Sequence, residues 1–197
     1  MFDPGKAPRL ETSRLILRGW KAEDFAPFAA MMAEPEVSRF LTVDGRPLDA
    51  ATAWRSLAVF VGHWSLRGFG LFAVEEKASG QFVGRVGPWR PEGWPGLELG
   101  WGLSRAHWGK GYAFEAARAA GDWAFNTLEA DHLISLIHAD NIASQNLATR
   151  LGEKPHAHTI HAGMAHTIWR ITQTEWRAVQ GSNGQGSKGQ SSNGQSS

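Results

Sequence analysis

The most specific chemical pattern in the chain is the corner at residues 103–113 (LSRAHWGKGYA), which lies between a predicted strand and the predicted start of a long helix. Gly109 and Gly111 let the backbone turn so that its N–H groups converge. The positive end of the helix dipole adds to their attraction for anions. The corner therefore predicts a binding site for phosphate or pyrophosphate.

Two common phosphate-binding motifs do not match this corner. A P-loop requires Gly at the position of Ser104 and Ser or Thr at the position of Gly111. A dinucleotide-binding fingerprint requires Gly at the position of Phe114 and follows the first strand of a βαβ unit. The pattern that remains is an acyl-CoA corner, and a turn that serves the topology alone is the alternative.

The elements that must position this corner are predicted from hydrophobic periodicity. Their order is strand, two helices, three strands, helix, strand, helix, two strands. The predicted strands cover residues 10–18, 70–76, 81–86, 97–104 and 133–138, with two more between 156 and 179. The predicted helices cover 21–32, 48–64, the segment from the corner to about 129, and 142–150.

Length and composition predict one folded domain, because the chain has 197 residues of which 42% are hydrophobic and 20% charged. We assign residues 1–179 to this domain. Residues 180–197 contain only Gly, Ser, Gln, Asn and one Lys, so we expect a disordered tail there. The chain has no cysteine, which excludes thiol nucleophiles and disulfides.

Charge and hydropathy bear on partners and location. A net charge of +1 does not favour nucleic acid as a partner. The longest apolar run, residues 28–33, is far shorter than the roughly 20 residues that a bilayer span needs, and no secretory signal is recognisable. We therefore expect a cytoplasmic protein, with no membrane partner, that is a monomer or a homodimer.

Three motifs together resemble the GNAT superfamily of N-acetyltransferases, and most closely its ribosomal-protein N-terminal (alanine) acetyltransferase branch. They are residues 10–18 (LETSRLILR), residues 108–113 (WGKGYA) followed by Glu115 and Ala116, and residues 138–144 (HADNIAS). The motifs occur in the order and spacing of that branch. The resemblance implies an α+β fold, in which a seven-stranded, mostly antiparallel mixed sheet with four helices splays open between residues 97–104 and 133–138.

The resemblance also implies how acetyl-CoA binds. Its pantetheine arm is expected to lie in the opening of the sheet and to pair with backbone near Leu103, and its pyrophosphate to lie on N–H groups of the corner. Asn141 is expected to contact the arm and also to cap the helix that follows, a role that suits Asn. The expected cofactor-binding residues are Leu103, Trp108, Gly109, Lys110, Gly111, Tyr112, Ala113 and Asn141.

Glu98 and Ser144 are the expected catalytic residues. Alternation places Glu98 on the strand face of Gly100 and Gly102. The family often uses a carboxylate in this region to take the proton of the amine, and the alternative is an ordinary solvated or ion-paired Glu. At the position of Ala148 many members carry a Tyr that protonates the departing thiolate. Ser144, one turn earlier, is the expected substitute, and water is the other candidate.

Other residues carry weaker hypotheses. Glu115 is a second candidate base, unless it anchors the loop. Trp89 and Trp94 lie in a turn-rich segment and are expected to shape an acceptor pocket. Glu153 replaces the family's usual aromatic residue, which predicts a local difference at that edge of the sheet. The histidines at 156, 158, 161 and 166 have no carboxylate or Cys beside them, so we expect a surface hairpin and no metal site.

The predicted function is acetyl transfer from acetyl-CoA to a primary amine, either a protein N-terminal α-amine or a small-molecule amine. The amine attacks directly, and backbone N–H groups near residues 101–103 hold the oxyanion of the tetrahedral intermediate. An α-amine, with a reference pKa of about 7.7–8.0 against about 10.4 for lysine, suits a weakly placed base better. A non-catalytic acyl-CoA-binding or sensing module is the alternative, and the missing Tyr at Ala148 favours it.

Overall fold

The computed structural model describes residues 7–161 and 163–185. These residues form one eight-stranded sheet with the strand order β1-β2-β3-β4-β5-β6-β8-β7. The strands are Leu10–Glu11 (β1), Leu15–Arg18 (β2), Phe72–Glu76 (β3), Phe82–Trp89 (β4), Glu98–Leu103 (β5), His132–His138 (β6), Lys154–His161 (β7) and Met164–Thr172 (β8). The α-helices are Phe25–Met32 (α1), Pro35–Ser38 (α2), Ala50–Arg67 (α3), Tyr112–Thr127 (α4), Ile142–Leu151 (α5) and Gln173–Gln185 (α6).

Two apolar cores pack against the sheet, because the buried side chains of its strands alternate between the two faces. In the first core, helix α4 contributes a stripe of alanines that lets it pack closely on the buried side chains of β2 to β5, among them Leu15, Phe72 and Leu99. In the second core, Phe28 and Phe60 bring α1 and α3 together. The sheet is thus held between helices, and the two cores fix the strands from which the site is built.

The sheet is antiparallel except between β5 and β6, which are parallel neighbours. These two strands share a single register pair, Glu98 with Ile134, and then separate. The mixed α+β fold with a splayed sheet is therefore confirmed. The opening lies between the segments for which it was expected.

The number of elements differs from the prediction. The strand predicted over 10–18 is interrupted, so that the described residues contain eight strands instead of seven. The prediction of four helices was also too low, since α2 and α6 were missed. Two strands were predicted as far as residue 179, but β8 ends at Thr172 and α6 follows at once.

Helix α6 begins with a capping arrangement that is visible in the sequence. The backbone N–H of Thr172 donates to Glu175 Oε2 at 3.0 Å, and the N–H of Glu175 donates to Thr172 Oγ1 at 3.3 Å. Trp176 then packs over Gly121, where an added Cβ would lie 2.5 Å from its ring, and its Nε1 donates to Asp122 at 2.7 Å. The cap at its start and the buried Trp176 thus stabilise a helix that has few other apolar residues.

The predicted domain and tail meet within this helix. Helix α6 reaches Gln185 and so includes the first residues of the segment that was predicted to be a tail. The rest of that segment lies outside the described residues. Across 7–161 and 163–185, none of the helices has both the length and the apolar character needed to cross a membrane.

Candidate active site

The opening of the sheet begins where contacts of side chains replace the backbone hydrogen bonds between β5 and β6. After the register pair of Glu98 and Ile134, Ser135 Oγ donates to the carbonyl of Leu99 at 2.9 Å. The backbone N–H of Leu136 faces the carboxylate of Glu98 and lowers its pKa. Because side-chain atoms take the places of the next backbone partners, the two strands are free to diverge from this point.

The backbone of β5 turns unused polar groups toward this opening. The N–H of Ser104 donates to the carbonyl of Val83 in β4 at 3.0 Å. Backbone groups of successive residues in a strand point to opposite sides, so those of Trp101 and Leu103 face away from β4. The carbonyl of Leu103 accepts from Trp108 Nε1 at 2.9 Å. This leaves the two N–H groups and the carbonyl of Trp101 as the atoms most accessible to a ligand.

A cavity of about 250 Å³ lies at the opening. It brings the predicted catalytic residues Glu98 and Ser144 to one space, together with Asn141. Residues from both sides of the sheet line it, among them Phe40, Leu41, Phe60, Leu71, Arg85, Trp89, Trp94, Gly100, Trp101, Ser135, His161 and His166. The cavity therefore joins the two faces of the sheet through the gap between β5 and β6.

Glu98 is held in this cavity by Trp94. Trp94 Nε1 donates to its Oε2 at 2.6 Å. Burial raises the pKa of Glu98 to about 7, although the Trp94 donor, the charge of Arg85 and the nearby backbone N–H of Leu136 act in the opposite direction. A carboxylate with a pKa near neutrality is suited to take up and release a proton.

Ser144 is oriented by two neighbours. Its N–H donates to Asn141 Oδ1 at 3.1 Å, which confirms Asn141 as the N-cap of α5. Its Oγ accepts from Trp101 Nε1 at 3.1 Å. An indole N–H can only donate, so the hydroxyl proton of Ser144 remains available to an acceptor in the cavity. Ala148 is fully buried in a cluster with Ile137, against which Trp101 also packs.

The glycine corner has the geometry of an anion site. Gly109 and Gly111 have φ values of 72° and 79°, which few other residues adopt readily. Helix α4 begins at Tyr112, so its first N–H groups have no partner within the helix. Arg14 holds the corner by donating to the carbonyl of Lys110 at 2.9 Å and by lying over the Tyr112 ring.

Glu115 anchors the corner instead of entering the cavity. Its Oε1 accepts from Thr12 Oγ1 at 2.6 Å and from Ser13 Oγ at 3.0 Å, and Arg14 Nε donates to its Oε2 at 2.7 Å. These bonds tie the segment between β1 and β2 to α4. A concavity beside them is lined by three arginines, Arg14, Arg118 and Arg150, and by three carboxylates, Glu11, Glu115 and Asp122.

The two tryptophans that were predicted to shape an acceptor pocket, Trp89 and Trp94, both line the cavity. Trp89 stacks on His63 at 4.3 Å between ring centroids, and Trp94 meets His161 edge-on at 4.3 Å.

The predicted surface hairpin is only partly exposed. His156 and His158 are exposed on β7, but His161 and His166 line the cavity. Within the described segments, His and carboxylate side chains form no group of three that could hold a metal.

Glu153 was expected only to change the sheet edge, yet it is 2% exposed. Ser135 Oγ lies 3.1 Å from its Oε1 and 2.9 Å from the carbonyl of Leu99. One hydroxyl proton cannot serve both acceptors, so both contacts are satisfied when the Glu153 carboxyl is protonated and donates to Ser135. Burial raises the pKa of Glu153 to about 8, and the charge of Glu98 adds to this effect.

We expect the variant Glu153→Gln to be more stable than the wild type at alkaline pH. The folded-state pKa of Glu153 is about 8, above its ordinary value of 4.5. The stabilisation that the protonated Glu153 carboxyl contributes to the fold is thus fully present below pH 4.5 and is lost as the pH rises through about 8. Gln stays neutral and can donate to Ser135. Its melting temperature should match the wild type near pH 4.5 and exceed it near pH 9 by at least about 2–4 °C.

Thermal unfolding monitored by circular dichroism at both pH values measures this difference. The control is Glu23→Gln, because Glu23 is an exposed side chain. We expect its melting temperature to follow that of the wild type at each pH. A Glu153→Gln variant that lost stability equally at both pH values would show that Glu153 is ionised in the fold.

The comparisons with known proteins agree with this geometry. The sequence profile described as "Acetyltransferase (GNAT) domain" matches residues 14–154. The uncharacterized protein YkkB of Bacillus subtilis (strain 168) is 32% identical over 151 residues, which are 73% of this chain and 84% of YkkB. The crystal structure of an acetyltransferase from Agrobacterium tumefaciens str. C58 aligns with a TM-score of 0.76 and 32% identity, over 85% of this chain and 96% of that one.

A third comparison concerns the fold alone. The structure of Mycobacterium smegmatis RimJ in complex with CoA-disulfide aligns with a TM-score of 0.69. The alignment covers 90% of this chain and 93% of that one, at 17% identity. An identity this low supports a common architecture and leaves the residues of the site to be argued from their own geometry.

Proposed function

Because the chain belongs to the GNAT family of acetyltransferases, we propose that it transfers an acetyl group from acetyl-CoA to a primary amine, either a protein N-terminal α-amine or a small-molecule amine. One observation carries the proposal. The cavity at the opening of the sheet contains Glu98, with a pKa near neutrality, and the oriented hydroxyl of Ser144. The three sequence motifs support a place near the ribosomal-protein N-terminal acetyltransferases within this family.

The residues of the corner fit the phosphates of acetyl-CoA. A Cβ added at Gly109 would meet no atom within 4 Å, so the space in front of its backbone is open to a ligand. The first N–H groups of α4 adjoin this space, and α4 directs its positive dipole end at it. We assign the pyrophosphate to Trp108, Gly109, Lys110, Gly111, Tyr112 and Ala113. In the neighbouring concavity the charges of three arginines are balanced by those of Glu11, Glu115 and Asp122, so we assign the attraction for the pyrophosphate to the N–H groups of the corner.

The thioester end is assigned to the opening between β5 and β6. Asn141 lines the cavity, and we assign it a contact with the pantetheine arm. The carbonyl of Leu103 accepts from Trp108, so the arm would pair with the N–H of Leu103 or with the backbone of Trp101. The N–H group of Trp101 or Leu103 that the arm does not use would hold the oxyanion as the carbonyl carbon becomes tetrahedral.

The chemical step needs one base and one stabilised leaving group. The neutral amine forms the new C–N bond at the thioester carbon, and Glu98 takes the proton that the nitrogen loses. The C–S bond then breaks, and Ser144 donates a hydrogen bond to the departing thiolate. That sulfur finally gains the proton that the amine lost, so the products are an amide and free CoA. No covalent enzyme intermediate forms.

Two measurements on the intact protein test the proposal. Acetyl-CoA at about 100 times its dissociation constant is expected to stabilise the fold by roughly 2.7 kcal/mol, with ADP as the control ligand. A panel of amines should then release CoA thiol, detected with a thiol reagent. No thermal shift at millimolar acetyl-CoA would overturn the proposal. A clear shift without thiol release from any amine would identify the sensing module instead.

A further inference from the structure

Arg85 is a partly buried cation of the cavity that the proposed acetyl transfer does not use. Its side chain lines the cavity, and its guanidinium lies over the Phe60 ring at 5.2 Å. Its Nε is buried without a hydrogen-bond partner among the described residues. Glu98 acts on it through its charge. A guanidinium that is partly withdrawn from water and has an unpaired N–H costs free energy that an anionic ligand would offset.

The strand register places Arg85 and Glu98 on one floor of the cavity. Arg85 of β4 lies opposite Gly102 of β5, and Trp89 lies opposite Glu98. Side chains on one face of a strand recur at every second residue, so all four positions face the same side. Gly100 and Gly102 have no side chains, so Leu71 packs over Gly100 and Leu41 over Gly102, and these two leucines line the floor between Glu98 and Arg85. A small molecule on this floor can therefore meet a proton acceptor at one end and a cation at the other.

We propose that the acceptor is a free amino acid or a closely similar amine that carries a carboxylate, and that Arg85 binds this carboxylate while Glu98 receives the proton of its amine. This inference rests on the proposed acetyl transfer and narrows its acceptor. A guanidinium presents a planar set of donors that matches a carboxylate in two parallel hydrogen bonds. The product is the N-acetyl amino acid, whose carboxylate stays on Arg85.

Size and lining support a small, apolar amino acid. A cavity of about 250 Å³ is below the range of about 300–1,000 Å³ usual for drug-sized ligands, and here it must also hold the acetyl group. Trp89, Trp94, Phe60 and Leu71 supply apolar and aromatic surface around the two charges. A peptide would present an amide to Arg85 where a free amino acid presents its carboxylate, and would leave the guanidinium unpaired.

The pairing would also assist the reaction. A cation close to the substrate lowers the pKa of a neighbouring ammonium group, because two positive charges repel. Arg85 bound to the carboxylate thus favours the neutral, nucleophilic form of the amine. The position of the cation is therefore suited both to selecting the acceptor and to preparing it.

The test compares matched acceptors on the intact protein. L-leucine, L-methionine and L-phenylalanine are each measured against the corresponding amide, together with a leucine-initiated peptide amide. We expect kcat/KM to be at least 10-fold higher for the acid in at least one pair. Arg85→Gln should raise the KM of that acid at least 10-fold and change the KM of the amide less than about 2-fold. The KM of acetyl-CoA should stay unchanged. Arg85→Lys should recover part of the preference.

The control is Arg90→Gln, because Arg90 is exposed beyond the end of β4 and does not line the cavity. The inference would be overturned if kcat/KM for the amides or the peptide equalled that for the acids. It would also be overturned if Arg85→Gln changed the KM of acid and amide equally. Either result would leave acetyl transfer intact. If no amine releases thiol, calorimetry of the same acids and amides with the CoA-bound protein still decides the point. Acid binding that Arg85→Gln removes would support the site, and equal or no binding would overturn it.

Discussion

Replacing Glu98 by Gln is expected to lower kcat/KM for amine acetylation by about 10²–10⁴-fold, the range that a positioned general base contributes. Gln has nearly the same shape, and its carbonyl oxygen can still accept from Trp94 Nε1, which lies 2.6 Å from the Glu98 carboxylate. It cannot take up a proton. The dissociation constant of acetyl-CoA should stay within about 2-fold of the wild type, since the corner is untouched.

The pH profile gives the same variant a second readout. Burial raises the pKa of Glu98 to about 7, so the basic form accumulates only above that pH. The kcat/KM of the wild type should therefore rise as the pH passes through about 7. Glu98→Gln should lose this rise and keep only the one at higher pH that deprotonation of the amine itself produces. Burial and the charge of Glu98 raise the pKa of Glu153 to about 8, so Glu153 ionises at a higher pH than Glu98.

A matched control separates catalysis from a general loss of charge. Glu92 lies in the loop between β4 and β5 and its side chain is 98% exposed. Glu92→Gln should keep both the rate and the rising limb of the profile. If Glu98→Gln also kept them, the base would have to be sought elsewhere, and Glu98 would remain a structural carboxyl held by Trp94.

Much of the site could be predicted because its signals are local in the sequence. Gly109 and Gly111 encode the corner by themselves, since their backbone conformation depends on few neighbours. Asn141 caps α5 three residues before Ser144, and that contact needs no distant partner. Alternation along one strand placed Glu98 on the face that the cavity occupies. Each of these predictions used only short-range geometry.

The parts that were missed depend on long-range pairing. Nothing near Glu153 in the sequence shows that it is buried, because Ser135, its partner, lies on β6 and meets it only after the sheet forms. Arg85 looks like an ordinary strand arginine until β5 and the aromatic residues enclose it. Its role depends on an unpaired Nε, a property that only the assembled cavity defines. Helix α6 is different, because its signal is local in the sequence. Thr172 and Glu175 form a capping pattern, which a prediction from hydrophobic periodicity alone does not use.

The second large effect is expected at the corner, from Gly109→Asp. Gly109 has φ 72° and faces open space, so the new carboxylate would lie where the pyrophosphate is assigned. Two like charges about 4–5 Å apart near a protein surface repel by several kcal/mol. We expect the dissociation constant of acetyl-CoA to rise at least 100-fold, about 2.7 kcal/mol. Isothermal titration calorimetry measures this constant without turnover.

The chain contains a closely matched control for that substitution. Gly80, in the turn between β3 and β4, has φ 70°, and an added Cβ there would also meet nothing within 4 Å. Gly80→Asp thus has the same backbone strain, of roughly 1–2 kcal/mol, and the same charge, but lies outside the corner. Both variants should lose similar stability, and only Gly109→Asp should lose acetyl-CoA. Equal affinity in the two variants would mean that the phosphates bind elsewhere and that the corner serves only to start α4.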